Sequence, residues 1–455
     1  MQRNEPQARV RHAPLRATRT LATLVALGGL WSGNRAMAIE SASDAGTSID
    51  PHAGMAMPDS QMSEPVMSMA GLYGPYAMTR EASGTSWQPD SASMTGLHRM
   101  SGRWMTMVHG TIAGVYTHQG GPRGDSQTFS ESMLMLMARR AIGEGALSVR
   151  VMASLEPLMG PRGYPELLQA GETANGRDLL IDRQHPHNLL MELAAAYSKT
   201  LSPASSVFIY GGPVGEPALG PPAYMHRASS EADPDTPLTH HWLDATHTSF
   251  GVATAGIVWR SLKLEASYFN GREPDQNRYG VQFRAFDSSS VRLSYNPTAD
   301  WSLQVSSGRL ASPEQVEPDT SVRRTTASAT YNRSFGNGQW QTTAAWGRDA
   351  PGGKHPTDGY LLDSALRFGR AHTVFVRYEH VVRDDLFRAG EPWFGQAFVV
   401  QKASAGYIFD FAEHRHVLYG VGGVVSQNKV PTALTPVYGS DPLGYGLFVR
   451  ARLVP

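Results

Sequence analysis

Apolar and polar side chains alternate with a period of two residues along most of this chain. In residues 262–269, LKLEASYF, leucine, alanine and tyrosine alternate with lysine, glutamate and serine. Successive side chains of a β-strand point to opposite faces, so this segment predicts a strand with one apolar and one polar face. The same alternation is found in residues 291–295, 301–307, 374–379 and 445–453.

Two architectures produce this alternation: a soluble antiparallel sandwich, which buries the apolar face in its core, and a transmembrane barrel, which turns it toward lipid. Three features favour the barrel. The segments have about 9–11 residues, the length of a tilted membrane-spanning strand. Their polar faces carry full charges at Glu265, Arg292 and Arg377. Many begin or end in aromatic residues typical of membrane interfaces, namely Trp104, Tyr116, Tyr197, Trp301, Tyr360, Tyr378, Tyr407 and Tyr419.

The predicted fold is therefore all-β, an antiparallel transmembrane β-barrel of about 14–16 strands. Sixteen candidate strands begin near residues 103, 131, 146, 188, 206, 250, 262, 288, 300, 322, 338, 358, 372, 398, 415 and 443. The segments near 206 and 288 have the weakest pattern, and the rule of an even strand number also allows about 14.

The N-terminal region has a different composition. A basic start precedes the apolar residues 21–31 and the small residues 36–38, AMA, an order typical of a cleaved signal peptide. Residues 39–102 are rich in Ser, Pro, Gly and Met and lack periodicity, which predicts disorder. The chain therefore divides into a signal peptide (1–38), a disordered Met- and His-containing leader (39–102) and a barrel (103–455), and we expect it in a Gram-negative outer membrane.

Methionine is concentrated near the N-terminus: of 19 methionines, only Met191 and Met225 lie beyond residue 160. In the predicted strands the methionines alternate with apolar residues. Because we assign those apolar residues to the side facing lipid, the methionines face the lumen. The lumen-facing candidates are Met105, Met107, His109, Met133, Met135, Met137 and Met152. The leader adds His52, Met55, Met57, Met62, Met67 and Met69.

Thioether sulfur and imidazole are the soft ligands that this chain offers, since it contains no cysteine. They suit copper, and thioethers suit Cu(I) in particular. The methionines therefore predict a copper-binding role in the leader and the first three strands. The alternative interpretation is packing, because methionine is also a flexible filler of protein cores.

A second group of candidate ligands lies in residues 239–249, THHWLDATHTS, with His240, His241, Asp244 and His247. Their spacing does not fit one face of a strand, so a loop or a short helical turn would have to gather them. Imidazole and carboxylate together can bind Cu(II) or Zn(II). Three further histidines, His185, His187 and His226, make the middle of the chain unusually rich in imidazole. A hydrogen-bond network within a loop is the alternative.

Several function classes have little support. Lys+Arg and Asp+Glu are equal at 40 each, so no basic excess points to nucleic acid. The chain lacks the G-x-S-x-G, H-E-x-x-H and Walker motifs, and we predict that it is not an enzyme. Two alternatives to metal binding stay open: a passive channel lined by Glu265, Arg292, Arg377 and Arg450, and a soluble periplasmic binding protein.

Five strings resemble a largely uncharacterised family of exported Gram-negative proteins: LIDRQHPHNLLMELAAAYS, GPPAYMHR, HHWLDATHTSFGVATAGI, FNGREPDQNRYG and RLSYNPTADWSLQVSSGRL. The resemblance extends from about residue 100 to the C-terminus. That family tends to accompany copper and heavy-metal resistance systems, so the resemblance implies a role under metal stress.

The leader from His52 to Met69 more loosely resembles that of the copper-resistance protein B family, in which a Met/His-rich segment precedes an outer-membrane barrel. This similarity is one of composition and position. Together the resemblances imply copper binding, sequestration or efflux. The expected partners are outer-membrane lipid, metal ions and periplasmic copper-handling proteins.

Overall fold

Sixteen antiparallel strands form a closed barrel in the computed structural model, which describes residues 70–93 and 96–455. Each strand pairs with the next along the chain, and the last pairs with the first from Gly444↔Gln119 to Arg452↔Thr111. The closed sheet confirms the predicted barrel, and its sixteen strands agree with the upper end of the predicted range of 14–16. The alternative of a soluble antiparallel sandwich was wrong. The strands are β1 (Trp104–Gln119), β2 (Ser126–Ile142), β3 (Gly145–Ala153), β4 (Leu190–Ser202), β5 (Ser205–Val214), β6 (Val252–Trp259), β7 (Leu262–Phe269), β8 (Ser288–Thr298), β9 (Trp301–Leu310), β10 (Val322–Phe335), β11 (Gly338–Pro351), β12 (Thr357–Phe368), β13 (His372–Arg383), β14 (Phe398–His414), β15 (Val417–Lys429) and β16 (Leu443–Leu453).

The remaining elements are short. A strand at Leu97–Ser101 pairs with the beginning of β1, and a two-stranded hairpin at Tyr164–Thr173 and Leu179–Gln184 lies outside the barrel sheet. The helical turns are the α-helices His240–Leu243 and Thr435–Tyr438 and the 3-10 helices Met78–Arg80, Glu156–Met159, Tyr224–His226, Ala245–His247 and Thr432–Leu434. Within the described residues, no helix has the length and apolar character needed to cross a membrane.

The outer surface of the barrel is apolar. Leu264, Val291, Leu362 and Val376 are each about half exposed, whereas the alternate residues of the same strands are buried. Exposed aromatic residues lie near both ends of the strands, as in the interfacial girdles of membrane barrels. These residues are Tyr116, Tyr268, Tyr360 and Tyr445 at one end and Tyr197, Trp259, Tyr295, Trp301, Trp340, Tyr407 and Tyr419 at the other. The protein is therefore an outer-membrane β-barrel.

The two ends of the barrel differ in the length of their connections. Even-numbered strands are followed by tight turns, such as those at 203–204 and 260–261, and we call this the turn end. Odd-numbered strands are mostly followed by longer connections, and we call this the loop end. Outer-membrane barrels keep short turns in the periplasm and longer loops outside, so the turn end is assigned to the periplasmic side.

The interior is filled by three segments of the chain. They are the N-terminal inner segment (70–93), the first inner loop between β3 and β4 (154–189) and the second inner loop between β5 and β6 (215–251). The expectation of a disordered leader extending to residue 102 is wrong for residues 70–93 and 96–102, because Tyr73 and Trp87 pack inside the barrel and Leu97–Ser101 forms a strand. Residues 39–69 of the leader lie outside the described part of the chain.

Candidate functional site

Polar contacts hold the N-terminal inner segment against the wall near the turn end. Thr85 makes two of these contacts: its carbonyl accepts a hydrogen bond from Lys263, and its hydroxyl accepts one from Arg292 at 2.9 Å. Arg292 also bonds Glu265 at 2.9 Å, because the β7–β8 register places these two residues opposite each other. The side chains of Lys263, Glu265 and Arg292 are completely buried. The predicted lumenal charges thus face inward, but they bind inner segments.

The second inner loop is attached to β12 and β13 of the wall by buried ion pairs and hydrogen bonds. Arg377 of β13 lies 3.3 Å from Asp233 of the loop, and Glu379 accepts hydrogen bonds from the backbone and hydroxyl of Thr239 at 2.8 Å. Arg227 of the loop pairs with Asp363 of β12 at 3.3 Å. The wall therefore provides positively and negatively charged side chains, and the loop provides an opposite charge or a hydrogen-bond donor for each of them.

The first inner loop is held by two long cationic side chains. Arg383 donates to the carbonyl oxygens of Leu168 and Ala170, each at 3.0 Å. Lys402 of β14 pairs with Glu166 of this loop and with Asp235 of the second inner loop, the latter at 3.0 Å. One buried ammonium thus connects both inner loops to the wall.

Two small cavities lie between these segments and strands β1 and β2. One, of about 90 Å³, lies beside Met107, Met135, Met137 and His226. The other, of about 50 Å³, lies beside Glu131 and the carboxylate of Asp233. His109 contacts both. Such volumes hold a few water molecules or a bare ion but no larger solute.

The predicted lumenal methionines face inward. Met133, Met137 and Met152 are buried, whereas Leu134 and Leu136 between them are each 47% exposed on the outer surface. Strand register brings the sulfur-containing side chains into rows. His109 stands opposite Met135, and Met135 stands opposite Met152, so one row crosses β1, β2 and β3. Met107 stands opposite Met137 in the next row, and Met105 is also buried.

A compact methionine cluster forms where these rows meet the second inner loop. Met133, Met152 and Met191 are buried together, with Met135 and Met225 packed against them. His226 of the loop lies at its edge, with Nε2 at 3.2 Å from the sulfur of Met152. Burial and the neighbouring His109 lower the pKa of His226 to about 3, so its imidazole is neutral. The cluster thus combines five thioethers and one neutral imidazole.

Five buried histidines form a second cluster beside it, nearer the loop end. The ring centroid of His240 lies 5.4 Å from that of His241 and 5.2 Å from that of His247. His187 is 5.2 Å from His247, and His185 is 5.9 Å from His241. The short helix His240–Leu243 and the 3-10 turn Ala245–His247 gather three of them, as the sequence spacing required. Tyr224 contacts His187 and His240, and the next residue belongs to the methionine cluster.

The Nδ1 atoms of three of these histidines are fixed by neighbouring acceptors. His240 donates to Asp244 at 2.8 Å, His187 to Glu156 at 2.9 Å and His247 to the carbonyl of Asp244 at 2.8 Å. The Nε2 atoms of His187 and His247 have no hydrogen-bond partner in the described part of the chain. Metal-binding histidines commonly have this arrangement, with one ring nitrogen bonded to a carboxylate or carbonyl and the other facing the ion.

Burial keeps three of these five histidines uncharged. Burial and the neighbouring His187 and His240 lower the pKa of His247 to about 3, and burial lowers the pKa values of His185 and His241 well below the usual range. Neutral imidazole is the form that binds metals. Asp244 is different, because it bonds His240 and lies 3.5 Å from Arg227. It therefore orients a histidine, and the ligand role predicted for it from the sequence stays a prediction.

The structure brings together some sequence candidates and leaves others outside. Met105, Met107, His109, the three methionines of β2 and Met152 line one region of the lumen, and His240, His241 and His247 lie in the adjacent histidine cluster. His52, Met55, Met57, Met62, Met67 and Met69 lie outside the described residues. Sequence reasoning did not select Met191 and Met225, whose isolated positions gave no pattern, although both join the methionine cluster.

Comparisons with known proteins add only a similarity of fold. No protein-family profile and no curated protein match this chain. Among solved structures it is similar to an anion-selective porin from Comamonas acidovorans, with 12% identity, 77% of this chain and 100% of that chain covered, and a TM-score of 0.48. OmpF of Salmonella typhi in complex with daunomycin has 11% identity, 78% and 100% coverage and a TM-score of 0.46. The outer-membrane channel DcaP of Acinetobacter baumannii has 9% identity, with 79% of this chain and 100% of that chain covered and a TM-score of 0.44.

Proposed function

We propose that this protein is an outer-membrane channel that its inner segments hold closed. The observation that carries the proposal is the polar character of the contacts between the wall and the second inner loop, in a barrel of sixteen strands. Barrels of about 16 strands are wide enough to enclose an aqueous channel. The loop is held by groups such as Arg377 and Glu379, and water can replace such contacts at a net cost of about 1.5–3 kcal/mol for each hydrogen bond to a charged group. The loop can therefore leave the lumen.

A disulfide that tethers the second inner loop tests this proposal, and the chain contains no cysteine to interfere. Ser229 of the loop and Thr343 of β11 are suitable positions, because their hydroxyl oxygens are 2.8 Å apart. In planar bilayers, we expect the native protein to stay closed at low voltage and to open in brief steps at high voltage. The oxidised Ser229→Cys/Thr343→Cys variant should lose these steps and regain them on reduction.

The matched control is a disulfide within the wall. Ser307 of β9 and Thr325 of β10 have hydroxyl oxygens 3.2 Å apart, and a bridge between them leaves the inner loop free. Oxidised Ser307→Cys/Thr325→Cys protein should open like the native barrel. Openings that persist in the tethered variant, or a native barrel that conducts at no voltage, would refute a channel closed by this loop.

A second candidate function is the binding of copper inside the lumen. We infer it from the methionine cluster, because five thioethers and a neutral imidazole suit Cu(I) and the adjacent imidazoles suit Cu(II). Packing alone would explain why methionines are buried. It would not explain why the strand register places Met135 between His109 and Met152. Copper would then be either a cargo or a stored ion.

Cu(I) titration with a competing chelator tests this candidate. The background is the full mature chain with Met55, Met57, Met62, Met67 and Met69 replaced by leucine, so that these five sulfurs do not contribute. Replacing Met133, Met135 and Met152 by leucine preserves volume and removes the sulfurs. We expect the tightest Cu(I) equivalent to weaken at least tenfold, read from the chelator absorbance.

The control for this titration replaces methionines outside the cluster. Met100 is 66% exposed, and Met159 is partly buried against an apolar cluster that includes Phe129 and Tyr164. Met100→Leu/Met159→Leu protein should bind Cu(I) as its background does. Equal Cu(I) binding by the cluster variant and by this control would leave the methionines as packing residues.

A further inference from the structure

Three loops meet at one point near the loop end of the barrel. The second inner loop contributes His241, the β7–β8 connection contributes Glu273, and the β9–β10 connection contributes Glu314. One ligand atom from each side chain lies within 4.8 Å of the others. Among the described residues, no other three histidine or carboxylate side chains are gathered so closely.

Each of these side chains presents an unpartnered polar atom. Nε2 of His241, Oε2 of Glu273 and Oε2 of Glu314 have no hydrogen-bond partner within residues 70–93 and 96–455. His241 and Glu273 are each only 8% exposed. An unpartnered buried polar group costs about 1–3 kcal/mol, and three of them within one such group of side chains require an explanation.

The surrounding charges do not supply that explanation, because most are already paired. Arg324 forms a two-bond pair with Asp349 at 2.9 Å, Lys354 contacts Glu317 at 2.5 Å, and Arg383 lies 3.1 Å from Asp385. In the described part of the chain, neither Glu273 nor Glu314 has a cation within ion-pair distance. Their two carboxylates thus form an acidic pair with no directly bonded cation, beside a neutral imidazole, and the nearby Arg324 offsets only part of their charge.

The surroundings of both carboxyl groups disfavour their ionised forms and raise their pKa values. Burial raises the pKa of Glu273 well above its usual value, and the neighbouring Glu314 raises it further. Burial, with the nearby Asp385, raises the pKa of Glu314 to about 7. A cation between the two groups would remove both the repulsion and part of the desolvation cost.

We propose that His241, Glu273 and Glu314 bind one divalent transition-metal ion. One imidazole and two carboxylates match the ligands of Zn²⁺ and related borderline ions, whereas Ca²⁺ and Mg²⁺ prefer oxygen ligands alone. A cavity of about 140 Å³ beside His241 and Glu314 has room for water as a fourth ligand. Gly171 makes space for the imidazole, because a Cβ there would lie 2.3 Å from its Cε1 atom.

The position of this site gives the ion a mechanical role. It would join the second inner loop to the β7–β8 and β9–β10 connections, and so fix that loop inside the barrel. This consequence rests on the proposed channel function, whereas the site itself does not. Loss of Zn²⁺ binding and loss of gating are therefore separate results.

Zn²⁺ retention by the full mature protein tests the site. The detergent-purified protein is stripped with EDTA, loaded with Zn²⁺, desalted and measured by mass spectrometry, with affinity from a competing fluorescent chelator. The native protein should retain one Zn²⁺ that the Glu273→Gln/Glu314→Gln variant does not, with affinity reduced at least tenfold. Glu317→Gln is the matched control, since Glu317 lies in the same connection and pairs with Lys354, and it should bind as the native protein does.

Two outcomes would overturn the proposal: no retained Zn²⁺ in the native protein, or equal retention by the double variant. If the variant fails to fold, as judged by heat-modifiable electrophoretic mobility, X-ray absorption of the native Zn²⁺ complex decides. One nitrogen and two or three oxygen ligands support the site, whereas sulfur ligands or more than one imidazole refute it. Bilayer recordings with and without EDTA then test the gate, since EDTA should increase channel opening in the native protein only.

Discussion

Replacing Arg292 with alanine is expected to destabilise the folded protein by about 3–5 kcal/mol, the usual cost of breaking a buried ion pair. Arg292 bonds three parts of the molecule: Glu265 in the wall, the carbonyl of Gly220 in the second inner loop at 3.0 Å, and Thr85 in the N-terminal inner segment. The substitution removes all three contacts and leaves a space between the inner segments. The measurement is the urea midpoint of the detergent-folded protein, followed by tryptophan fluorescence.

The same variant should also increase channel opening, because both inner segments lose an anchor. Arg292→Lys is informative here: it keeps the charge, but its single ammonium cannot reproduce the three-way geometry, so we expect an intermediate effect. The control is Arg333→Ala, which removes an exposed arginine and should leave the urea midpoint unchanged. A stable Arg292→Ala protein with native conductance would show that the inner segments are held by other contacts.

Lys402→Met is expected to have an effect of similar size, about 3–5 kcal/mol at neutral pH. The ammonium lies between Glu166 and Asp235, and all three groups are buried. Methionine fills the space but leaves two carboxylates with no cation between the inner loops. Lys354→Met is the matched control: Lys354 also pairs with a carboxylate, but it is exposed, so its loss should cost less than about 1 kcal/mol.

The pH dependence of the Lys402→Met variant separates charge repulsion from lost packing. Burial raises the pKa of Glu166, and removing the ammonium raises it further. When folding raises the pKa of a carboxyl group, that group favours the folded state at a pH below its unfolded-state pKa. This contribution to stability is lost as the pH rises from the unfolded-state pKa through the folded-state pKa. The stability deficit of the variant should therefore be small near pH 4 and grow toward pH 8. A deficit independent of pH would attribute the effect to packing.

The sequence alone determined the wall of the barrel. The alternation in segments such as 262–269 and 445–453 reports which side chains face lipid, and this information is local because the strand period is two residues. All sixteen candidate strands correspond to strands of the sheet, including those near 206 and 288. The inward direction of Met133, Met135 and Met137 followed from the same parity, since Leu134 and Leu136 occupy the other face.

Only the tertiary structure decided what fills the barrel. Residues 70–93, 154–189 and 215–251 have no regular period, so their sequences do not show that they fold inward. Their positions depend on long-range charge pairing, such as that of Lys402 with two loops. For the same reason, no sequence spacing could join His241 to Glu273 and Glu314, which come from three different connections. The two-residue period of the sequence determines the strands of the wall, whereas contacts between residues far apart in the chain determine which segments fill the lumen.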